Sequence, residues 1–135
     1  GRIAAVPGEY VDLARHPEST PVPGVLIVRV DAQLYYANAL TVRDRVKEMI
    51  AEMAPPPRAV IFDSSAQDQL DLTTTDVLRS LLKELDAIGI KALFAGVHAP
   101  VLEGARASGM LEGVGDDRMF PTVDAALRHV AVEPS

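Results

Sequence analysis

Short apolar runs alternate with helical periodicities along this 135-residue chain. The run "VLIVRV" at residues 25–30 is β-branched and almost wholly apolar, which predicts a strand covered on at least one face. We interpret "QLYYAN" at residues 33–38 as a second strand. "RAVIFD" at residues 58–63 is the most uniformly apolar run and predicts a central strand. "KALFAG" at residues 91–96 and a short segment at residues 118–120 predict two further strands.

Between these runs, apolar residues recur every three or four positions, which is the period of a helix. The first predicted helix begins at Asn38, whose side chain can cap it, and ends before the prolines at residues 55–57. The second spans residues 73–88, with Thr73 as its cap and Gly89 in the left-handed conformation that closes many helices. Its predicted buried face comprises Val77, Leu78, Leu81, Leu82, Leu85 and Ile88.

Two more helices are predicted in the C-terminal part. One spans residues 100–108 and stops at Gly109, and the other follows Thr122 as its cap. The residues expected to pack from this last helix are Val123, Ala126, Leu127 and Val130. The order of elements is two strands, a helix, and then strand and helix alternating three times. This order predicts an α/β fold in which four helices pack on a mixed, largely parallel sheet of about four to five strands.

The first 24 residues differ in composition from the rest of the chain. Residues 7–24 contain four prolines and two glycines, and residues 9–13 are their only strand-like patch. We therefore interpret residues 1–24 as an ordered leader with a short edge strand, and residues 25–135 as the main domain. Because the chain begins with glycine rather than methionine, we expect it to be a piece of a longer polypeptide.

Charge narrows the range of partners. Lys and Arg total 13 against 19 Asp and Glu, which gives a formal net charge of -6, and such a surface repels nucleic acid. The absence of cysteine excludes disulfides and thiolate metal sites. No apolar run reaches the 18 or more residues that a membrane-spanning helix needs, so this fragment is expected to be soluble.

Catalytic and metal-site patterns are missing from the sequence. His16, His98 and His129 are far apart, and none is paired with a carboxylate at helical ligand spacing, so we predict no zinc site. Neither phosphate-binding pattern, GxxxxGK[ST] or GxGxxG, occurs. Ser64 and Ser65 have no histidine or lysine nearby in sequence and are interpreted as a turn. The sequence therefore predicts no enzyme activity and no required cofactor.

The stretch "VIFDSSAQDQLDLTTTDVL" at residues 60–78 is the one place where polar side chains gather. In a parallel sheet, ligands usually bind beyond the carboxyl ends of the strands, where the next helix begins. A helix-capping role explains one of the three threonines at residues 73–75. The free backbone amides at the helix start would also favour the binding of a phosphate group. Capping alone and an anion-binding or regulatory role thus both remain open. The candidate site residues are Asp63, Ser64, Ser65, Asp71, Thr73, Thr74 and Thr75.

Several stretches together resemble the STAS domain, which is shared by bacterial anti-sigma factor antagonists and by SulP anion transporters. "FDSS" ends a strand, an aspartate with hydroxyls after it follows eight residues later, and "LDAIGIKALFAG" closes the next helix. The leader, with its Pro-Gly and "VLIVRV", and the "LYYANA" segment are similar to the transporter branch in particular. "MFPTVDAAL" is similar to both branches, so the resemblance spans nearly the whole chain.

The resemblance assigns roles to three candidate residues. Asp63 stands at the strand-end aspartate, Asp71 at the aspartate that heads the loop into the helix, and Thr73 at the hydroxyl phosphorylated in the antagonists. The antagonists usually have Asp-Ser-Ser-Gly, whereas this chain has Leu72 in place of a hydroxyl and Thr74 in place of the glycine. These differences favour the transporter branch, in which that serine is often absent.

The resemblance implies a non-catalytic regulatory and interaction domain on the cytoplasmic face of the plasma membrane. It would be the C-terminal part of a SulP-type transporter of sulfate-like anions, with the membrane domain of the same polypeptide as its partner, and a second copy or a regulatory protein as further partners. A guanine or adenine nucleotide, with magnesium, is expected to bind weakly at most. The alternative is a free-standing anti-sigma factor antagonist that is switched by phosphorylation at Thr73.

Overall fold

The structure is a computed structural model that describes residues 2–6, 9–13, 24–30, 33–111 and 116–132. Six strands are described: β1 (Arg2–Val6), β2 (Glu9–Leu13), β3 (Val25–Val30), β4 (Ala59–Asp63), β5 (Lys91–Ala95) and β6 (Met119–Phe120). The helices are α1 (Tyr36–Glu52), α2 (Leu72–Ala87), α3 (Ala99–Ala107) and α4 (Val123–Val132), and a 3-10 turn at Asp116–Arg118 precedes β6.

All six strands lie in one sheet, in the same order as in the sequence. β3 to β6 are parallel to one another, and β1 and β2 extend the sheet beyond β3 as antiparallel neighbours. The register places Ile27 beside Ile61 and Ile61 beside Leu93. The predicted α/β fold, with a mixed and largely parallel sheet and four helices, is confirmed.

The core has two layers, one on each face of the sheet. Alternate strand residues face opposite sides, so Val28 and Val60 meet α1, α2 and α3, whereas Ile27, Ile61 and Leu93 meet α4. Ile61 is fully buried, and β4 lies between β3 and β5, which confirms the prediction of a central strand. The face covered by three helices holds the larger cluster, and the longest helices bury their apolar sides there.

Residues 33–38 do not form the predicted strand. The backbone N–H of Tyr35 donates to Asn38 Oδ1 at 2.7 Å, and Asn38 Nδ2 donates to the carbonyl of Gln33 at 2.8 Å. These bonds turn the chain into α1 at Tyr36. Asn38 therefore caps the helix start from inside the first turn rather than from the position before it. The tyrosines favour a strand intrinsically, but these hydrogen bonds override that preference and leave both rings about half exposed.

Helix α2 differs from the prediction at both ends. Its N-cap is Asp71 rather than Thr73, because the Asp71 carboxylate accepts the N–H of Thr74 at 2.8 Å. Ile88 is 65% exposed because the helix ends at Ala87 and the chain changes direction there. The rest of the predicted apolar face is correct: Val77, Leu81, Leu82 and Leu85 are buried, and Leu78 is partly buried.

Gly89 closes α2 as predicted. Its φ is +78°, its N–H donates to the carbonyl of Asp86, and the N–H of Ile90 donates to the carbonyl of Leu85. This pair of bonds is the Schellman motif. The ends of the later helices are also confirmed. Gly109 has a φ of +79° after α3, and Thr122 Oγ1 accepts the N–H of Ala125 at 3.1 Å at the start of α4.

The leader contributes two strands to the sheet. The strand-like patch at residues 9–13 is β2, but it lies between β1 and β3 rather than at the edge. β1 was not predicted. The proposed division of the chain at residue 24 remains a prediction, although β2 is hydrogen-bonded to β3 across it. Within the described residues, no helix combines the length and the apolar character needed to cross a membrane.

Candidate functional site

The candidate residues lie at the carboxyl edge of the parallel strands. Each of β3, β4, β5 and β6 is followed by a helix, so the loops at residues 64–71, 96–98 and 121–122 meet at this edge. The sequence prediction placed Asp63, Ser64 and Ser65 there, and the structure does the same.

Asp63 organises the turn that follows β4. Its Oδ1 accepts the N–H of Ser65 at 3.1 Å and the hydroxyl of Ser65 at 2.7 Å. The N–H of Ser64 donates to the carbonyl of Ala95 on β5 at 2.8 Å. Asp63 and Ser65 are thus hydrogen-bonded to each other. Both have a structural role, because these bonds hold the turn against β5.

Gln67 is a site residue that the sequence reasoning missed. Only 3% of it is exposed, and its Nε2 donates to the carbonyl of Val30 at 3.0 Å while its Oε1 accepts the N–H of Leu34 at 2.8 Å. A second bond, from Gln33 Nε2 to the carbonyl of Ala66 at 2.9 Å, joins the same two loops. A single glutamine in a polar loop carries no sequence signal of this role.

The three threonines have three different environments. The Thr73 hydroxyl is exposed and donates to Asp71 Oδ1 at 3.1 Å. Thr75 is buried, and its hydroxyl donates to the carbonyl of Leu72 at 2.6 Å. Thr74 is fully buried, and its hydroxyl has no hydrogen-bond partner among the described residues. Of the three hydroxyls, Thr73 alone is therefore accessible to a ligand or a modifying enzyme.

Asp71 is held in its ionised form. The Thr74 side chain, then the backbone N–H of Thr74 and the Thr73 hydroxyl, stabilise the carboxylate and hold the pKa of Asp71 below its usual range. The Thr74 hydroxyl acts here through proximity, since its geometry does not meet that of a hydrogen bond. The result is a fixed negative charge at the start of α2, which suits the positive end of a helix.

His98 and Gly96 connect the β5–α3 loop to the Asp63 turn. His98 Nε2 lies 2.8 Å from the carbonyl oxygen of Ser65. Gly96 has a φ of +68°, and a Cβ at this position would lie 3.2 Å from Ser65 Cβ. The absence of a side chain at Gly96 therefore lets the two loops approach closely. His129 instead packs on Phe120, with ring centroids 5.0 Å apart, and His16 lies outside the described residues.

A cavity of about 70 Å³ lies beneath this edge, between the sheet and helices α2 and α3. Its walls are mostly apolar, and Asp63, Ser64 and Gln67 line it at the edge. Pockets that hold small molecules are usually about 300–1,000 Å³. A nucleotide therefore has no room inside and could bind only on the outer surface. Among the described residues, no three His, Asp or Glu side chains gather into a potential metal site.

Comparison with known proteins adds three findings. The family model described as "STAS domain" matches residues 16–126. Sulfate transporter 1.3 of Arabidopsis thaliana is 30% identical over an alignment that covers 93% of this chain and 21% of the transporter. The chain thus spans about a fifth of the length of the curated relatives it matches.

Two solved structures share the fold. The murine Solute Carrier 26 family member A9 anion transporter matches with a TM-score of 0.77 and 24% identity, covering 92% of this chain and 20% of that chain. The SulP transporter STAS domain of Vibrio cholerae matches with a TM-score of 0.67 and 22% identity, covering 87% of this chain and 89% of that chain. Solved anti-sigma factor antagonists have the same fold at lower identity.

Proposed function

Because the chain belongs to the STAS domain family, we propose that it is the STAS domain of a SulP-type transporter of sulfate-like anions. The support is its similarity, over more than nine-tenths of its length, to relatives named as sulfate transporters. Since it spans only about a fifth of those relatives, a membrane domain on the same polypeptide would do the transport and be its direct partner. The domain would then lie on the cytoplasmic face of the plasma membrane.

In this proposal the domain regulates transport through contacts rather than through catalysis. The observation that carries the proposal is the surface at the start of α2, where the accessible Thr73 hydroxyl adjoins Leu72, a residue that is 66% exposed. A phosphate on Thr73 would place negative charge directly beside this apolar side chain and so would change what a contacting partner meets. The membrane domain, a second copy or a regulatory protein would contact this surface, and a phosphate on Thr73 would alter it.

Weak nucleotide binding forms a second part of the proposal. A guanine or adenine nucleotide would place its phosphates near Thr73 at the α2 start, with magnesium between the phosphates and the carboxylates of Asp63 and Asp71. Burial of Thr74 and Thr75 removes two of the three hydroxyls from reach, and Asp71 already accepts one of the helix amides. Binding should therefore be weak, with a Kd on the order of 1 mM.

The main proposal can be tested with the complete gene product in cells that lack sulfate uptake. We expect labelled sulfate to enter cells that express it, and a Thr73→Glu variant to change the uptake rate at equal membrane abundance. Ser80→Glu is the matched control, because Ser80 is exposed on the same helix but lies two turns further along. Equal uptake by both variants and the parent would contradict the regulatory role, and no uptake of any anion would contradict the transporter assignment.

A free-standing anti-sigma factor antagonist is the alternative function, supported by the shared fold and by the accessible Thr73 hydroxyl. It requires a kinase that phosphorylates Thr73 and a partner that binds only the unphosphorylated form. It requires no membrane domain. Incubation with the serine kinases of the source organism, followed by mass spectrometry, would show a single phosphate on Thr73 if this alternative holds.

A further inference from the structure

The chain leaves the sheet toward opposite faces after β5 and after β6. These strands are parallel neighbours, with Phe94 beside Met119 and Ala95 beside Phe120. The connection after β5 leads to α3, on the face that also carries α1 and α2, whereas the connection after β6 leads to α4 on the other face. In open α/β sheets, ligands bind beyond the carboxyl ends of the strands at the point where the strand order reverses and neighbouring connections leave toward opposite faces. The strand order does not reverse here, but the β5 and β6 connections diverge in the same way.

A crevice of about 430 Å³ lies at this divergence. Residues 96–98 and Leu102 of α3 line one side, and residues 119–121 line the other. The N–H of Gly96 donates to the carbonyl of Phe120 at 3.0 Å, which holds the two sides together at the base. The volume falls within the usual range of small-molecule pockets, about 300–1,000 Å³, and is far larger than that of the buried cavity beneath α2.

The lining of the crevice suits a flat and largely uncharged ligand. The described residues that line it include no Asp, Glu, Lys or Arg, and the apolar ones are Val97, Leu102, Met119, Phe120 and Pro121. The Phe120 ring packs against His129 and against the core cluster on the α4 side. Aromatic and proline surfaces bind planar rings by stacking and by burial of apolar area. A highly charged group would find no opposite charge in this lining.

His98 adds one polar group of defined character. Its Nε2 lies 2.8 Å from the Ser65 carbonyl oxygen, which can only accept a hydrogen bond. Nε2 must therefore carry the proton, so Nδ1 of the neutral ring is left as an acceptor. A ligand ring that carries an N–H or amino donor complements such an acceptor. The same bond places the crevice directly beside the Asp63–Ser65 turn.

We propose that this crevice binds a planar heteroaromatic ring of the nucleobase type. The proposal rests on the nucleotide part of the proposed function and deepens it, because it places the base between the β5 and β6 connections and leaves the phosphates outside, on the exposed edge. Recognition comes from stacking on the apolar walls and from the His98 acceptor rather than from charge.

The test uses the 135-residue chain labelled with ¹⁵N and follows backbone amide shifts during titration. Adenosine should shift the amides of Gly96, Val97 and Phe120 with a Kd on the order of 1 mM, whereas inorganic phosphate should leave them unchanged. Pro121→Asp puts a charge in the crevice and should weaken adenosine binding at least fivefold. Pro56→Asp is the matched control, since Pro56 is also an exposed loop proline but lies before β4, at the opposite edge of the sheet, and it should bind as the parent does.

A second variant, His98→Ala, removes the acceptor and should weaken binding without the added charge. Melting curves of all three variants show whether each is folded. Adenosine shifts that are absent from the crevice, or scattered evenly over the surface, would overturn the inference. If GTP then shifts only the amide resonances of residues 63–76, the nucleotide proposal is supported but the crevice is not its base-binding site. If adenosine shifts the amide resonances of the crevice residues and GTP leaves those of residues 63–76 unchanged, the crevice proposal is supported and the proposed phosphate site at the α2 start is wrong.

Discussion

The hydroxyl of Thr73 donates a hydrogen bond to the carboxylate of Asp71 at 3.1 Å. The same Asp71 oxygen accepts the N–H of Thr74 at 2.8 Å, so Asp71 is the cap and Thr73 only supports it. The capping role therefore belongs to Asp71, and Thr73 is left available for the proposed regulatory role. Thr73 can change, by mutation or by phosphorylation, without removing the hydrogen bond that starts the helix.

This division of roles predicts unequal effects of two alanine variants. Asp71→Ala removes the acceptor of the Thr74 N–H and should lower the melting temperature by about 3–5 °C, as the loss of a helix cap usually does in a domain of this size. Thr73→Ala removes only an exposed hydroxyl and should change it by about 1 °C or less. Circular dichroism melts of the two variants and the parent would check this. Equal losses of melting temperature, or a larger loss for Thr73→Ala, would show that Thr73 contributes to capping at least as much as Asp71.

The lowered pKa of Asp71 predicts a pH dependence with a definite sign. The pKa of an unfolded aspartate is about 3.9, and the folded value lies below it, so the folded state favours the ionised carboxylate. This contribution to stability is fully present above pH 4 and is lost as the pH falls through the folded pKa. Asp71 is exposed, so solvent screening keeps the effect small.

Asp71→Asn is the variant that isolates this contribution, because asparagine can still cap the helix but carries no charge. The parent should melt above Asp71→Asn at pH 7, and the difference should shrink as the pH falls through the lowered pKa of folded Asp71. Asp68→Asn removes the same charge from a nearby exposed position and serves as the control. A difference between the parent and Asp71→Asn that persists at low pH would show that the ionised carboxylate is not the cause.

The parts of the fold that the sequence predicts correctly are those set by periodicity. The strand at residues 58–63 and the apolar face around Leu81 follow from one-dimensional patterns, and the structure has both. The strand prediction for residues 33–38 is wrong because their intrinsic strand preference competes with tertiary and capping hydrogen bonds. The backbone N–H of Tyr35 donates to Asn38 Oδ1, and that of Leu34 donates to Gln67 Oε1, 33 positions away in the chain. The candidate site shows the same limit, since no local pattern shows that Gln67 is buried or that Thr74 faces inward.

Removal of the buried Gln67 amide is predicted to cause a large loss of stability. Gln67→Leu leaves the carbonyl of Val30 and the N–H of Leu34 without their partners at a buried position, at about 1–3 kcal/mol for each unsatisfied group. We expect the free energy of unfolding to fall by about 2–4 kcal/mol in urea titrations. Gln69→Leu makes the same substitution at an exposed position of the same loop and should be nearly neutral. Similar losses for the two variants would mean that loop composition matters rather than the buried amide.

Two glycines allow backbone strain to be separated from close packing. Gly89 and Gly96 have φ values of +78° and +68°, so alanine at either position should cost about 1–2 kcal/mol for the left-handed conformation. A Cβ at Gly89 would meet nothing within 4 Å, whereas at Gly96 it would lie 3.2 Å from Ser65 Cβ. Gly96→Ala should therefore destabilise the domain more than Gly89→Ala and should also shift the amide resonance of Ser65. Equal costs would show that the loops around Ser65 can separate without loss.

Substitution of valine for each of the two buried threonines is predicted to change the free energy of unfolding in opposite directions. Thr74→Val replaces a fully buried hydroxyl that has no hydrogen-bond partner among the described residues. The desolvation penalty that it removes should outweigh the lost, solvent-screened proximity to the Asp71 carboxylate, so it should stabilise the domain by about 1 kcal/mol. Thr75→Val breaks a 2.6 Å bond to the carbonyl of Leu72 and should destabilise the domain by about 1 kcal/mol. Both substitutions keep the branched shape of the side chain and lie in the same helical turn, so each is the control for the other. Unfolding in urea would give the two free energies. A loss of stability in Thr74→Val would instead show that its hydroxyl has a partner, such as an ordered water, and that all three threonines at the start of α2 are engaged in holding it.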